Sequence, residues 1–458
     1  MISESVCKRE GEGSILTKLC ALALAFAPIL DPYILGSIGS FTVRVMDVVL
    51  VSLALTLMVK RRLEGLKAVR SLIFLLSVLL FCTLISSFFP LHGRSTVSAL
   101  ALMVKYGLYT VCFGLLCGKA VLYFMMRYAT AVAAVGAIYI ILQSVLTGGL
   151  GISIWDGVLP FAINESDGFS MLFDRNTGEI RPHAFFQEPS YFAIYAAPVL
   201  MGSLKSKRWF TVSLLVVGLL LSTSFLGVVV LAVAVLVLVA KAVHGGKRIN
   251  WAIAALAVSI LAIIIIATAI VYFSGVSTQV STIIDNAGSK INSIVNVFKE
   301  NSWGKSSAQY RLLGNVELIW NYSPLEMVFG VGMGQYASIF ANQIESGYSS
   351  TAVNILLNCG VIGLASLVAW LVAYWRRAAP GQAVFVLLFA IVLFVDNCWF
   401  SWYFFYLLSW VIAARYLDES ERYESFCSVP ETCPDRSFSR LRMHLNGGIA
   451  VKKGDARV

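Results

Sequence analysis

Apolar runs close to the length of a bilayer crossing recur along the whole chain, and they limit its fold more than any other feature. A helix needs about 20 apolar residues to cross ~30 Å of hydrocarbon. The composition agrees, because 58% of the residues are hydrophobic and only 13% are charged. That balance excludes an ordinary soluble enzyme. The sequence therefore predicts an all-α, polytopic membrane protein.

Hydropathy predicts about twelve transmembrane helices. The predicted spans are residues 15–35, 43–59, 71–89, 97–117, 120–146, 189–204, 209–223, 225–243, 249–274, 350–375, 381–396 and 398–416. The first span follows Lys8 and Arg9 and resembles a signal peptide with a cleavage site at Ala25-Phe26-Ala27. Because Pro28 follows directly and apolar spans continue, we expect an uncleaved first span.

Positive charge predicts the orientation, because Lys and Arg concentrate in cytoplasmic loops. The clusters are Lys60-Arg61-Arg62 with Lys67 and Arg70, then Lys205/Lys207/Arg208, Lys247/Arg248, Arg376/Arg377 and the basic tail. They fall on alternate loops, which puts both termini in the cytoplasm. The net charge of +10 is thus explained by topology and does not indicate nucleic-acid binding.

This topology divides the chain into three parts. Residues 1–14 form a cytoplasmic N-terminus, residues 15–416 the membrane domain, and residues 417–458 a cytoplasmic, basic and partly disordered tail. The two longest loops, about 147–188 and 275–349, then lie on the outer face. The nine cysteines occur singly and mostly in apolar runs, which indicates small buried hydrophobic residues rather than disulfides or a thiolate metal site.

The stretch RPHAFFQEPSYFAIY, residues 181–195, brings Arg181, His183 and Glu188 to the point where an outer loop meets an apolar run. Pro189 suits the first turn of a helix, so Glu188 lies where that helix begins. A carboxylate among aromatic residues at the membrane boundary suits proton transfer, although the helix dipole alone also favours an acidic residue there.

Cations in both outer loops are candidates for binding phosphate. Arg181 offers paired hydrogen bonds to a phosphate, or it is simply a surface arginine near lipid headgroups. His183 is a candidate base or second phosphate donor. Arg175 in the same loop and Arg311 in the second loop are further candidate cations for substrate binding.

The second outer loop also contains GVGMG, Gly330–Gly334. Gly332 and Gly334 allow close approach of a ligand to the backbone, and a flexible turn is equally consistent with them. No strand-like segment precedes the glycines, which excludes a dinucleotide site.

Charged residues within or beside the spans have separate interpretations. Lys105 lies roughly 12 Å from either end of its span at 1.5 Å per residue, and a lysine at that depth is a functional candidate. Arg44 and Asp47 are spaced to form an ion pair across one helical turn. Asp396, beside Trp399 and Trp402, is expected to be an interfacial anchor.

The sequence contains no D-x-D, H-E-x-x-H or P-loop pattern. We therefore expect neither a metal nor a cofactor. Any phosphate chemistry would depend on cationic side chains.

Several of these segments resemble one family. RPHAFFQEPSYFA resembles the signature R-x-x-G-x-F-x-E-P-S-x-x-A of bacterial O-antigen and exopolysaccharide polymerases of the Wzy type and of related O-antigen ligases. PLEMVFGVGMGQY, residues 324–336, is similar to the family's P-l-f-G-v-G-x-G segment, and STAVNILLNCGVIGL, residues 350–364, to its y-L-x-L-L-x-x-x-G-i-i-G span. TVRVMDVVL, residues 42–50, is similar to an early family span, and Arg311 falls where the family often has an arginine. The resemblance covers most of residues 40–415.

The sequence departs from the family pattern at two places. Ala184 occupies the position of the signature glycine. Ser349-Ser350 occupies the position where ligases usually carry His-Asn. Since that histidine is associated with ligase chemistry, its absence favours a polymerase over a ligase.

The resemblance implies a fold similar to the multi-span lipid-sugar glycosyltransferases and a place in the bacterial inner membrane. It implies polymerisation of oligosaccharide repeat units carried on undecaprenyl diphosphate into O-antigen, capsule or exopolysaccharide. A chain-length regulator and a flippase of the same pathway are the implied protein partners. An O-antigen ligase is one alternative. A lipid-linked oligosaccharide flippase or exporter is another, since about twelve spans are common in transporters.

Overall fold

The computed structural model describes residues 14–38, 41–60, 64–88, 95–161, 181–245, 315–341 and 349–427. It is mostly helical, with 79% helix and 2% strand. The predicted all-α class is therefore confirmed.

The helices of the first half are α1 (Ile15–Leu30), α2 (Val45–Val59), α3 (Arg70–Phe88), α4 (Thr96–Leu116) and α5 (Lys119–Leu142), with a 3-10 helix at Glu64–Val69 and a π-helical turn at Gln143–Gly149. The later helices are α6 (Pro189–Lys205), α7 (Trp209–Leu221), α8 (Phe225–Gly245), a 3-10 helix (Val316–Asn321), α9 (Pro324–Phe329), α10 (Tyr336–Ile339), α11 (Thr351–Arg377), α12 (Pro380–Val395) and α13 (Trp402–Cys427). Two short strands, β1 (Ile34–Ile38) and β2 (Phe41–Arg44), pair antiparallel.

Each predicted span that falls on described residues corresponds to one of these helices, while the span predicted at 249–274 lies outside the described residues. Four helical segments are long and apolar enough to cross a membrane: Gly65–Phe88, Thr96–Leu116, Lys119–Thr147 and Thr351–Arg377. These helices indicate a membrane-embedded protein. The number of about twelve crossings stays a prediction.

The first predicted span is too long at its end. It was expected to reach residue 35, but α1 ends at Leu30 and the chain turns into the β1–β2 hairpin. Asp31 still has helical backbone angles, φ −57° and ψ −38°, and the helix stops at Pro32, which has no N–H to donate to the preceding turn. In the hairpin Ile34 lies opposite Arg44, which returns the chain from the end of α1 to the start of α2.

The last span differs at both ends. Helix α13 begins at Trp402 rather than residue 398, because residues 396–401 form a turn in which Phe400 has φ +45°. The Cys398 amide donates to Thr351 Oγ1 at 3.0 Å and ties this turn to the start of α11. The helix then continues to Cys427, so residues 417–427 of the predicted tail are helical.

The centre of the bundle is formed by α6 and by the aromatic first half of α13, both of which are almost entirely buried. Tyr195 and Tyr406 stack with ring centres 4.4 Å apart. The Tyr406 hydroxyl donates to the Tyr195 carbonyl at 3.1 Å, and the Tyr195 hydroxyl donates to the Ala25 carbonyl at 2.9 Å. Hydrogen bonds between helices and close packing are the forces that hold helices together in lipid.

The cysteines among the described residues are unpaired in disulfides and buried: Cys20, Cys82, Cys112, Cys117, Cys359 and Cys398. For these positions the prediction of small buried residues is confirmed.

Candidate functional site

Glu188 is the residue that precedes the first turn of α6. Its backbone is extended, with φ −147° and ψ 162°, and Pro189 is the first helical residue. The Glu188 side chain is only 7% exposed. The Ser190 hydroxyl donates to its Oε2 at 3.2 Å and so orients the carboxylate. The predicted helix start at Glu-Pro is confirmed, and it holds a carboxylate in a largely buried position.

The turn before Glu188 is tied to the end of α5. Gln143, in the π-helical turn, is fully buried, and its Oε1 accepts the backbone amides of His183 at 3.2 Å and Ala184 at 2.8 Å. Ala184 has φ +55°, a left-handed conformation that glycine adopts without cost and other residues rarely adopt. The departure from the signature glycine thus keeps the glycine-like backbone at this position.

His183 lies inside this turn and is fully buried. Since a carbonyl oxygen only accepts, Nδ1 carries the proton and donates to the Phe186 carbonyl at 2.7 Å. Burial lowers the pKa of His183 to about 4, which outweighs the upward effects of this hydrogen bond and of Asp156, while Arg181 adds to the lowering. The imidazole is therefore neutral near pH 7 and fixes the shape of the turn. The base or phosphate-donor role expected for His183 stays a prediction.

The described part of the first outer loop covers this turn. Gly157, with φ +92°, packs so closely that an added Cβ would lie 1.6 Å from the Ala184 carbonyl oxygen. The Leu159 amide donates to the Tyr33 hydroxyl at 2.8 Å. The Tyr139 hydroxyl donates to the Trp155 carbonyl at 2.7 Å. The loop therefore packs against the turn at Ala184 and is itself tied to Tyr33, beside the hairpin, and to α5.

A second polar cluster lies where α1, α2 and α4 meet. The Arg44 guanidinium pairs with Asp31 at 2.6 Å. Asp47 accepts the Arg44 backbone amide at 3.0 Å and also the Tyr109 hydroxyl. The predicted ion pair between Arg44 and Asp47 is therefore wrong: the hairpin brings Asp31 to Arg44, and Asp47 is used to cap α2 and bind Tyr109.

Lys105 belongs to this second cluster. Its Nζ lies 5.3 Å from the centre of the Tyr109 ring, within the range of a cation–π contact. It is partly buried and lies one helical turn before Tyr109. Lys105 therefore joins this cluster through Tyr109, which binds Asp47. It belongs to a different segment from residues 181–188, which we call the Glu188 turn.

Two neighbouring residues at the start of α13 connect the two clusters. Trp402 lies 4.8 Å from Tyr109 between ring centres, and Tyr403 lies 4.6 Å from Tyr191, which follows Glu188 by three positions. Adjacent residues of one helix therefore contact the Asp47–Tyr109 pair on one side and the first turn of α6 on the other. The carboxylate and the Arg44–Lys105 cluster lie around the same end of α13.

The glycine segment lies elsewhere on this end of the bundle, against a break in α11. Gly360 has φ +66° inside that helix, which interrupts its ladder of hydrogen bonds. The Val331 amide donates to the Leu357 carbonyl at 3.3 Å, and the Gly332 amide to the Asn358 carbonyl at 2.8 Å. These bonds satisfy carbonyls at the break, as membrane-depth backbone requires.

Gly332 is buried in this contact, while Gly334 is exposed. The segment is a turn anchored to α11 by these backbone hydrogen bonds. Its flexibility is not tested by them and stays a prediction. Contact of Gly332 and Gly334 with a substrate stays a prediction.

The serines that replace the ligase His-Asn pair have structural partners. The Ser350 hydroxyl accepts the Val353 amide at 3.3 Å and caps α11. The Ser349 and Tyr336 hydroxyls lie 3.0 Å apart. Asp396 is buried at the same end, and its carbonyl accepts the Thr351 amide at 3.0 Å. These contacts stabilise the helix ends.

Two sequence candidates, Arg175 and Arg311, lie outside the described residues. Sequence reasoning in turn missed Asp31, Gln143 and Tyr403. Asp31 had a signal, since an acidic residue before Pro32 ends an apolar run. Gln143 and Tyr403 had no signal in the sequence, because both contact residues that are distant in the chain.

Comparison of the chain with models of known protein families gives no match, and comparison with curated proteins gives none.

Proposed function

We propose that this protein polymerises oligosaccharide repeat units carried on undecaprenyl diphosphate, at the outer face of the bacterial inner membrane, with Glu188 as the catalytic carboxylate. The observation that carries the proposal is the Glu188 turn. A largely buried carboxylate begins a central helix. Arg181 lies seven residues before it, just ahead of the turn that Gln143 holds through the His183 and Ala184 amides. The resemblance of RPHAFFQEPSYFA to the polymerase signature supports the same chemistry.

The reaction is a glycosyl transfer. The acceptor hydroxyl of one unit attacks the anomeric carbon of the growing chain, and its proton passes to Glu188. The bond between that carbon and the diphosphate oxygen breaks, so undecaprenyl diphosphate leaves with the bonding electrons. General-base catalysis of this kind contributes about 10²–10⁴-fold to a rate.

Cationic side chains would stabilise the leaving group, because the diphosphate gains negative charge as the bond breaks. Arg181 is the candidate cation nearest to Glu188 in the sequence. Arg311 and Arg175 are additional candidates. Lys105, held beside Tyr109, is the candidate on the opposite side of the start of α13. His183 fixes the turn through its bond to the Phe186 carbonyl.

The test replaces the carboxylate without changing its shape. In the native host, Glu188→Gln at equal protein level is expected to abolish long-chain polymer and leave single repeat units on surface glycans. Arg181→Ala is expected to do the same, and Arg181→Lys to retain part of the activity, because it keeps the charge and loses the paired geometry. The control is Glu317→Gln, an exposed glutamate in the second loop, which is expected to leave the length distribution unchanged.

Other outcomes point to other functions. Long-chain polymer that persists in both Glu188→Gln and Arg181→Ala contradicts the assignment. Repeat units trapped on the cytoplasmic side after loss of the protein indicate a flippase. Polymer that forms but stays unattached to its acceptor lipid indicates a ligase.

A further inference from the structure

A basic cleft lies at the opposite end of the bundle from Glu188. Along α13, Tyr403 near the Glu188 turn and Arg415 at the cleft are about 18 Å apart, at 1.5 Å per residue. The cleft has a volume of about 540 Å³. Its cationic lining residues come from three separate segments of the chain: Lys67, Arg70, Arg377 and Arg415.

The charge of this cleft is one-sided. None of the residues that line it, within the part of the chain that the structure describes, is a carboxylate. Cations that converge on one space repel one another, and the repulsion is relieved when an anion occupies it. Lys and Arg residues that serve only to orient the chain in the membrane do not need to point into one shared space. Arg376 illustrates this, since it adjoins Arg377 on the same helix and does not line the cleft.

The floor of the cleft is already hydrogen-bonded within the protein. The Trp370 indole donates to Ser71 Oγ at 3.2 Å, and the Ser71 hydroxyl donates to Tyr374 Oη at 3.3 Å. The Tyr374 hydroxyl donates in turn to the Ala68 carbonyl at 3.4 Å. A ligand would therefore be held by the cations at the rim above a rigid aromatic floor.

One wall of the cleft is apolar and exposed. Phe74 lines it, is 70% exposed and lies one helical turn after Arg70. Both residues belong to Gly65–Phe88, one of the segments long and apolar enough to cross a membrane. Cations beside an exposed apolar wall match a molecule that has an anionic head and a hydrocarbon chain. Basic pockets between transmembrane helices bind anionic lipid headgroups in this way.

We propose that the cleft binds the phosphate headgroup of an anionic membrane phospholipid, with Lys67, Arg70 and Arg377 around the headgroup and the acyl chain along Phe74. The basic loops gather at this end, which is predicted to face the cytoplasm. The site is independent of the proposed polymerisation at the other end.

The test uses native mass spectrometry of the full chain, purified in detergent and mixed with phosphatidylglycerol or with phosphatidylcholine of the same acyl chains. The wild type is expected to retain phosphatidylglycerol preferentially. Arg377→Gln should weaken this retention roughly fivefold, the effect of one cation near an anionic surface. Its matched control, Arg376→Gln, should bind like the wild type.

Combined variants sharpen the test. Lys67→Gln/Arg70→Gln/Arg377→Gln is expected to lose retention at least tenfold, whereas Lys205→Gln/Lys207→Gln/Arg208→Gln removes the same charge outside the cleft and should lose none. If the first triple variant does not fold, the Arg377 and Arg376 single variants decide.

Three results would overturn the proposal. One is equal retention of the two lipids by the wild type. Another is an equal loss in the Arg377→Gln and Arg376→Gln variants. The third is full displacement of phosphatidylglycerol by an equal concentration of glycerol phosphate, because the site would then recognise a soluble phosphate rather than a membrane lipid.

Discussion

At the end of the bundle where α6 and α13 begin, Arg44 pairs with Asp31 at 2.6 Å, and Asp47 accepts the Arg44 amide and the Tyr109 hydroxyl. At the other end, Lys67, Arg70 and Arg377 are exposed around a cleft without a described carboxylate. Removing a charge from the first end leaves its partner uncompensated in a partly buried place. Removing a positive charge from the second end reduces the repulsion among the cations around the cleft.

The comparison teaches that the same residue types have different consequences at the two ends. Matched charges at the first end hold the hairpin and α2 against α4, and so position the start of α13 beside the Glu188 turn. The cations at the second end have no carboxylate among the described residues that line the cleft, so they should contribute little to folding and be available to an external anion. The two ends should therefore differ in how stability changes when a charge is neutralised or the pH falls, and in their response to added lipid.

The largest difference is expected in stability. Asp31→Ala leaves Arg44 without its acidic partner and should cost about 2 kcal/mol of unfolding free energy, less than a fully buried pair because Arg44 is partly exposed. Lys67→Gln at the other end should change the unfolding free energy by no more than about 0.5 kcal/mol. Thermal unfolding of both variants in one detergent measures the contrast.

A double-mutant cycle completes that measurement. Asp31→Ala/Arg44→Ala should cost less than the sum of the two single changes, because the second change removes the uncompensated charge. Equal shifts in unfolding temperature for Asp31→Ala and Lys67→Gln would contradict the distinction between the two ends.

A second difference, of similar size over the measured pH range, is expected in acid. The folded-state pKa of His183 is about 4, below its ordinary value of 6.5, so the unfolded chain binds the proton more readily. Stability from this group is thus complete above about pH 6.5 and is lost as the pH falls toward 4, by about 3 kcal/mol at most. Unfolding temperatures measured between pH 7.5 and 5 should fall for the wild type.

His183→Asn is the matched variant for this effect. Its amide N–H can replace the Nδ1 donor to Phe186 and does not titrate, so its unfolding temperature should fall less between these pH values. Arg70→Gln should retain the wild-type pH dependence. Identical pH dependence in the wild type and His183→Asn would show that His183 is not protonated on unfolding in this range.

Local patterns predicted the helical architecture and the Glu188 turn well, for identifiable reasons. Apolar length predicts helices, and Pro189 predicts where α6 begins because proline suits the first turn. The pairing of Arg44 with Asp31 could not be read from spacing along a helix, since a hairpin of two short strands brings them together. The one local rule that did apply, an Arg44–Asp47 pair, failed because Asp47 accepts the backbone amide of Arg44 instead.

The break in α11 shows a second limit. Hydropathy is continuous from residue 351 onward and gives no sign that Gly360 leaves the helical conformation. The break depends on amides supplied by Val331 and Gly332, which lie in another segment. Tertiary contacts of this kind carry no signature in either segment alone.

The central claim is that the Glu188 end transfers sugar chains between lipid carriers. The most direct measurement mixes the purified protein in liposomes with a defined undecaprenyl-diphosphate-linked repeat unit and follows both product length and released undecaprenyl diphosphate. We predict a ladder of products, one carrier released for each bond formed, and loss of both in Glu188→Gln. Translocation of the lipid without any ladder, or an undiminished ladder in Glu188→Gln, would contradict the claim.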